Sequence, residues 1–353
     1  MITVKFGGTA MTPQNIKFVK QAVQNQNCAV VVSAPGKTFS ADKKVTDLLI
    51  AYYREGSDEN WQPIAQKFRA LAYFADCTTD VDRLLFEARL AARSSLWHCM
   101  SVGEELSAKI TANYLGFDYV EADKTFAFDT CGKLLKAQTI ANLKAAFRGV
   151  KQAVIGGFYG GSVVGRKVFS RGGSDVSGSY LAVATNSVLY QNCTDVCGVY
   201  VADPALVVDS HRHEFLSYEQ MEILSRHGAS VLHSDAVSPL QKQAIPLEIK
   251  CFYTPHSVGT MVQNVSAQNT VLSVAERKTK RGYCCEVLHC LDAARAAQLT
   301  SRLIERTQKI TSGIGFSPVC LSTTVYAVQS TQSTVKFFAD SSVLQPVYDV
   351  FVR

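Results

Sequence analysis

The feature that most constrains this chain is an alternation of short β-branched runs with helical segments through its first 260 or so residues. "ITVKF" (Ile2–Phe6), "CAVVVSA" (Cys28–Ala34), "QAVIGGF" (Gln152–Phe158) and "SVLYQNCTD" (Ser187–Asp195) read as strands. Between them, "NIKFVKQAVQ" (Asn15–Gln24) and "TDVDRLLFEARLAARSSLW" (Thr79–Trp97) read as helices, the second a single long one. Strands separated by helices need crossover connections, so the expected architecture is α/β with a mainly parallel sheet covered on both faces. Ligands of such sheets collect at the carboxyl ends of the strands, and the glycine-rich patches fall there.

Past residue 262 the character changes. "SAQNTVLSVAERKTKRG" reads as a polar linker with a basic tail. It is followed by a strand (Tyr283–His289), a helix (Leu291–Gln308) and two further strands, a β-α-β-β order that suggests a small α+β domain. The expected division is therefore 1–264 and 265–353. Apolar residues at 47% and charged residues at 19% fit globular domains with sizeable cores. No apolar run reaches transmembrane length and no basic-then-apolar leader is visible, which predicts no membrane contact and a cytoplasmic protein. Eleven cysteines, an odd number in apolar surroundings, suit reduced thiols. Their spacing matches no metal site, so no protein-bound metal is expected. The net charge of +6 is mild, and "ERKTKRG" lacks interleaved aromatics, which argues against nucleic acid and leaves a small polyanion as partner.

Four patches carry chemistry. In "VKFGGTA" (Val4–Ala10) a strand runs into Gly7-Gly8, whose amides can approach an anion, with Lys5 as a point charge and Thr9 as a hydroxyl. The same residues also suit a plain strand-to-helix turn with an exposed lysine. In "SRGGSD" (Ser170–Asp175) Arg171 offers a fork for a carboxylate, and Ser174 or Asp175 would cap the amphipathic helix that follows. Asp175 could order Lys5 or hold a metal–nucleotide; the bland alternative is a capped helix after a loop. "NCTDVCGVYVADP" (Asn192–Pro204) reads as a hairpin at a strand's carboxyl end, either a nucleotide shelf or surface structure. "SVGEELSAKI" (Ser101–Ile110) reads as a capping box at a helix start, with Ser101 capping and Glu104 free to face a substrate ammonium. A fifth stretch, "VVVSAPGKT" (Val30–Thr38), ends like a phosphate loop but has Val31 where that loop needs its first glycine.

Taken in order, Lys5-Phe6-Gly7-Gly8-Thr9, Ser33-Ala34, Ser101-x-Gly103-Glu104, Gly157-Phe158, Arg171-Gly172-Gly173-Ser174-Asp175, Thr194-Asp195 through Asp203-Pro204, and "GASVLH" (Gly228–His233) resemble the aspartate kinases of the amino-acid kinase superfamily over residues 1 to about 262. The resemblance implies a three-layer αβα kinase domain followed by an ACT-like regulatory or dimerisation domain. It implies phosphorylation of the β-carboxylate of L-aspartate with ATP and Mg²⁺, the first step towards lysine, threonine and methionine, in a homodimer or higher homo-oligomer.

On this resemblance Lys5 and Asp175 are catalytic. Lys5, Gly7, Gly8, Thr9, Thr194, Asp195 and Tyr200 bind ATP. Ser33, Thr46, Glu104, Phe158, Arg171, Gly172, Gly173 and Ser174 bind aspartate. "GKTFSADKK" is then an inserted flap between Ser33 and Thr46, and Lys37 need not touch phosphate. Three positions depart from the family pattern: Ala205 for arginine, Ser230 for lysine and Ser234 for proline. The two lost cations would weaken ATP binding by on the order of 1–3 kcal/mol each, unless Arg166 or Lys167 compensates. About ninety C-terminal residues leave room for one ACT-like domain, so feedback inhibition by lysine or threonine is open. Two alternatives remain open as well: a different amino-acid or carboxylate acceptor, and a non-catalytic regulatory homologue.

Overall fold

The computed structural model describes residues 1–170, 172–226, 231–265, 271–279, 282–312, 325–330, 334–339, 342 and 344–352. They fall into two units, Met1–Gly198 with Ala229–Asn264, and Val199–Gly228 with Val265–Arg353.

The first unit opens β1 (Ile2–Phe6), α1 (Ile16–Val23), β2 (Cys28–Val32), α2 (Val45–Glu55), α3 (Asp58–Phe74), α4 (Val81–Ala91), α5 (Leu96–Leu115) and β3 (Asp118–Val120). It continues through α6 (Ala122–Thr125), α7 (Lys136–Ala146), β4 (Ala153–Gly156), the hairpin β5 (Tyr159–Ser162) and β6 (Gly165–Val168), α8 (Gly173–Ala184) and β7 (Tyr190–Thr194). The chain passes into the second unit for β8 (Phe215–Ser217) and α9 (Tyr218–Arg226). It returns for α10 (Val237–Lys242), β9 (Leu247–Cys251) and β10 (Thr260–Gln263).

Seven strands of this unit run in the order β3-β4-β2-β1-β7-β9-β10, with β10 antiparallel to β9 and every other neighbour parallel. All five residues of β2 are buried, as a strand covered on both faces must be. Alternation then decides what each face sees. Val4, Phe6, Val30 and Val32 join one core with Ile16, Val19, Leu49, Phe68 and Leu106 from the helices on that side. Lys5 and Thr3 point the other way, towards α8, where Thr3 Oγ1 meets Ser187 Oγ at 2.8 Å.

Several local expectations need correction. The helix expected over 79–97 is two: α4 stops at Ala91, and Ser95 restarts the chain as N-cap of α5, accepting from the His98 N–H at 3.1 Å. Ser101 and Glu104 consequently sit inside α5 and form no capping box; Ser101 Oγ instead donates to the His98 carbonyl. The cap of α8 is Gly172, at φ 58°, where a side chain is strained, so Ser174 and Asp175 lie in the first turn. Nor is α8 amphipathic: every residue but Asp175 is buried. The Asn192–Pro204 stretch does not fold back on β7. Val199 and Val201 pair instead with 211–213, through Val201 N–H to the His211 carbonyl and His213 N–H to the Val199 carbonyl.

The second unit adds β11 (Val271–Thr279), β12 (Gly282–His289), α11 (Ala293–Ser312), β13 (Val325–Ser330), β14 (Thr334–Ala339) and α12 (Leu344–Phe351). Its antiparallel sheet runs β11-β12-β14-β13. Cys285, Val287, Val335 and Phe337 pack with Leu299, Leu303, Val347 and Tyr348 of the helices. The stretch expected to be a linker is β11, and Glu276, Arg277 and Lys278 pair across it with Cys285, Cys284 and Tyr283 of β12. Among the described residues no helix is long and apolar enough to cross a membrane.

Candidate functional site

Lys5 lies on β1 directly beside Asn192 of β7 in the sheet register. Its Nζ meets Asp175 Oδ1, in the first turn of α8, at 2.6 Å. Asn192 joins the same pair: its Oδ1 accepts from Lys5 Nζ at 3.3 Å and its Nδ2 donates to Asp175 Oδ1 at 3.3 Å. The second carboxylate oxygen of Asp175 accepts the His233 backbone N–H at 3.1 Å. An ion pair so nearly enclosed holds its geometry because its remaining valences are filled.

This pair forms part of the wall of a pocket of about 290 Å³ lined by Lys5, Gly7, Gly8, Ser33, Thr46, Glu104, Phe158, Gly172, Gly173, Ser174 and Asp175. Eleven of the residues expected from sequence thus converge on one cavity. A Cβ at Gly7 would lie 3.6 Å from Lys5 Nζ and cover the ammonium. Gly8 packs backbone to backbone on Gly36, whose N–H donates to the Gly8 carbonyl at 2.8 Å. The glycine of the apparent phosphate loop therefore supports the Gly7-Gly8 turn. Ser33 Oγ reaches Ser174 Oγ at 2.9 Å, tying the end of β2 to the start of α8. Phe158 holds a positive φ of 73°, with its N–H bonded to Ser177 Oγ at 3.1 Å.

Glu104 is 5% exposed, and among the described residues its Oε2 meets no hydrogen-bond partner. Burial pushes its carboxyl up to about 8, against the opposing pull of the Ala34 N–H. A buried carboxylate facing a cavity in this condition is built to receive a cation.

Thr9, Thr194 and Asp195 gather apart from that lining, at the carboxyl ends of β1 and β7. Asp195 accepts from Thr9 Oγ1 at 3.5 Å and from Thr194 Oγ1 at 3.1 Å. Tyr200 belongs to the second unit, bridged to Arg212, and so does Ala205, whose N–H donates to Asp203 Oδ1 at 2.9 Å. Arg171 and Ser230 lie outside the described residues. Arg166 is not a spare cation: on β6 it pairs with Glu105 at 2.5 Å and Asp123 at 3.0 Å. In the flap, Asp42 accepts from the Thr38 and Lys43 N–H groups at 2.8 and 2.7 Å and pairs with Lys67.

Sequence reasoning missed Asn192 and His233 as partners of the pair. A buried asparagine at the register position of Lys5 is the signal for the first, but only the β1–β7 pairing makes it legible.

Residues 1–251 match the profile of the amino acid kinase family. Aspartokinase 3 of Bacillus subtilis (strain 168) is 31% identical over 309 residues, which cover 80% of this chain and 68% of that protein. The chain belongs to the aspartokinases of the amino acid kinase family. The solved aspartate kinase of Clostridium acetobutylicum matches with a TM-score of 0.72 at 25% identity, over 96% of this chain and 77% of that one. The E. coli aspartokinase III solved with aspartate and ADP matches with a TM-score of 0.67 at 20% identity, over 99% and 83%, a likeness of fold. The aspartokinase likeness thus extends beyond the 1–251 match into the second unit.

Proposed function

We propose that this chain transfers the γ-phosphoryl group of ATP to the β-carboxylate of L-aspartate, giving 4-phospho-L-aspartate and ADP, the first step towards lysine, threonine and methionine. One observation carries the reading: a lysine ammonium fixed by a carboxylate stands in one pocket with a buried carboxyl whose Oε2 meets no hydrogen-bond partner among the described residues. The first suits a phosphoryl group passing between two anions; the second suits the ammonium of an amino acid.

Aspartate's own carboxylate is the nucleophile, already ionised, so no general base is needed. Its oxygen forms the new P–O bond as the bond from the γ-phosphorus to the β–γ bridging oxygen breaks, and ADP leaves. The work left to the protein is positioning and neutralisation. Lys5 stabilises charge on the transferring group, the Gly7 and Gly8 amides approach it, and Asp175 holds Lys5. Glu104 takes the substrate ammonium, Ser33, Thr46, Ser174 and the Phe158 turn shape the acceptor pocket, and Arg171 grips the α-carboxylate. Thr9, Thr194 and Asp195 receive the nucleotide.

The glycine pair fits a nucleotide phosphate, since a Cβ at Gly7 would cover Lys5 Nζ. Magnesium accompanies the nucleotide, offsetting phosphate charge. The ion would be carried chiefly by phosphates and water, with Asp195, which meets Thr9 and Thr194 in the group proposed for the nucleotide, as the protein carboxylate that would assist. We place the end of the catalytic domain near residue 264, with Val199–Gly228 grouped with the ACT-like domain that follows, which serves dimerisation in a cytoplasmic enzyme.

A coupled ADP-release assay over a panel of amino acids tests the reading. Turnover is expected with aspartate, and silence with every acceptor sinks it. Lys5→Ala should remove turnover by at least about 100-fold while aspartate binding, followed by calorimetry, stays measurable; unchanged turnover refutes the role of Lys5.

A further inference from the structure

We infer that Asn192 is a positioning residue of the phosphoryl-transfer site, orienting the Lys5 ammonium towards the pocket through its side-chain amide. The inference rests on the proposed kinase reaction. Asn192 is fully buried on β7, level with Lys5 on β1, and both side chains leave the sheet on the α8 side. Its amide closes a ring: Lys5 Nζ to Asp175 Oδ1 at 2.6 Å, Lys5 Nζ to Asn192 Oδ1 at 3.3 Å, and Asn192 Nδ2 to Asp175 Oδ1 at 3.3 Å. Nδ2 is anchored in turn on the Val231 carbonyl at 3.4 Å.

A lysine ammonium has three N–H groups. Held by Asp175 alone, it would pivot about one contact on a flexible stem. Held by Asp175 and Asn192 together, two of the three are engaged, which leaves the third for a group in the pocket that Lys5 lines. The amide also restrains the Asp175 carboxylate. Asn192 is not among the residues that line the pocket, so its contribution lies in orientation and should be read in kcat rather than in binding.

The test compares the full chain with Asn192→Leu, which removes both amide contacts at similar size, and with Asn192→Ala, which removes them without added bulk or charge. Expected is a loss in kcat on the order of 10- to 100-fold, the scale of a small misplacement, with KM for ATP and aspartate within about threefold. A second readout needs no turnover: labelling of Lys5 by an amine-reactive reagent, followed by peptide mass spectrometry, should run several-fold faster in both variants. Unchanged labelling in a folded variant overturns the inference, as does a kcat within twofold of the parent. Should Asn192→Leu not fold, Asn192→Ala carries both measurements. Faster labelling in variants of a chain that is silent with aspartate would leave Asn192 positioning Lys5 and strike the substrate reading instead.

Discussion

Glu104 sets the pH behaviour of the pocket. With its carboxyl raised to about 8, the empty site holds a proton at neutrality, and an incoming ammonium must displace it. The ionised fraction falls roughly tenfold per pH unit below that value. Aspartate affinity should therefore weaken by about that factor per unit from pH 8 to pH 6 and level off above 8. Calorimetry near pH 7 in buffers of different ionisation enthalpy should count close to one proton released per aspartate bound. Affinity that is flat between pH 6 and 8 would reject the pairing, and Glu104→Gln should be both weak and flat. Stability runs the opposite way with pH. The folded chain keeps this proton after the unfolded chain has lost it, so the contribution is full below the ordinary carboxyl range and is lost as pH rises through about 8. At this scale the Lys5–Asp175 pair was legible because both residues stand in short, glycine-flanked motifs. Asn192 was not, because its meaning depends on a strand pairing 187 residues away from Lys5.

Among the elements, the β5–β6 hairpin is fastened to α5 by charge. Arg166 is 11% exposed in its side chain, lies 4.9 Å over the Tyr159 ring, pairs with Glu105 and Asp123, and takes Ser101 Oγ at 3.2 Å. Burial alone would raise Glu105; Arg166 and Lys109 outweigh it and hold its carboxyl below the usual range. Arg166→Met should strand the Asp123 carboxylate, leave Glu105 with Lys109 alone and cost about 3 kcal/mol, seen as a lower denaturation midpoint with unchanged slope. A change under about 0.5 kcal/mol would mean the cluster is decorative. The hairpin also carries the pocket wall, since Phe158 immediately precedes β5, so KM for aspartate should rise as well. Element types were read from periodicity, and the misreadings share one cause. Polar residues inside or at the start of regular elements break the pattern. Ser95 hides the restart between α4 and α5, Ser177 and Ser179 make a buried helix look amphipathic, and Glu276 to Lys278 make an edge strand look like a linker.

At the scale of the molecule, each unit has its own apolar core, and the four-stranded sheet of the second raises the question of its edges. β11 is partly covered, because Val274 N–H donates to the Val201 carbonyl at 2.7 Å, and its exposed Arg277 and Lys278 discourage further pairing. Among the described residues β13 pairs only with β14. An edge of that kind can pair with the same strand of a second copy about a two-fold axis, continuing the sheet across both chains. Sedimentation equilibrium should therefore give twice the 38.5 kDa of one chain at micromolar concentration. Proline scanning locates the contact, since neighbouring residues of a strand aim their N–H groups to opposite sides. Of Ala327→Pro and Val328→Pro, the one whose N–H faces β14 should damage the sheet and lower its melting temperature. The other should leave the fold intact and halve the mass. A dimer that survives both substitutions places the interface elsewhere, and a monomer throughout the micromolar range removes the dimer from the proposal.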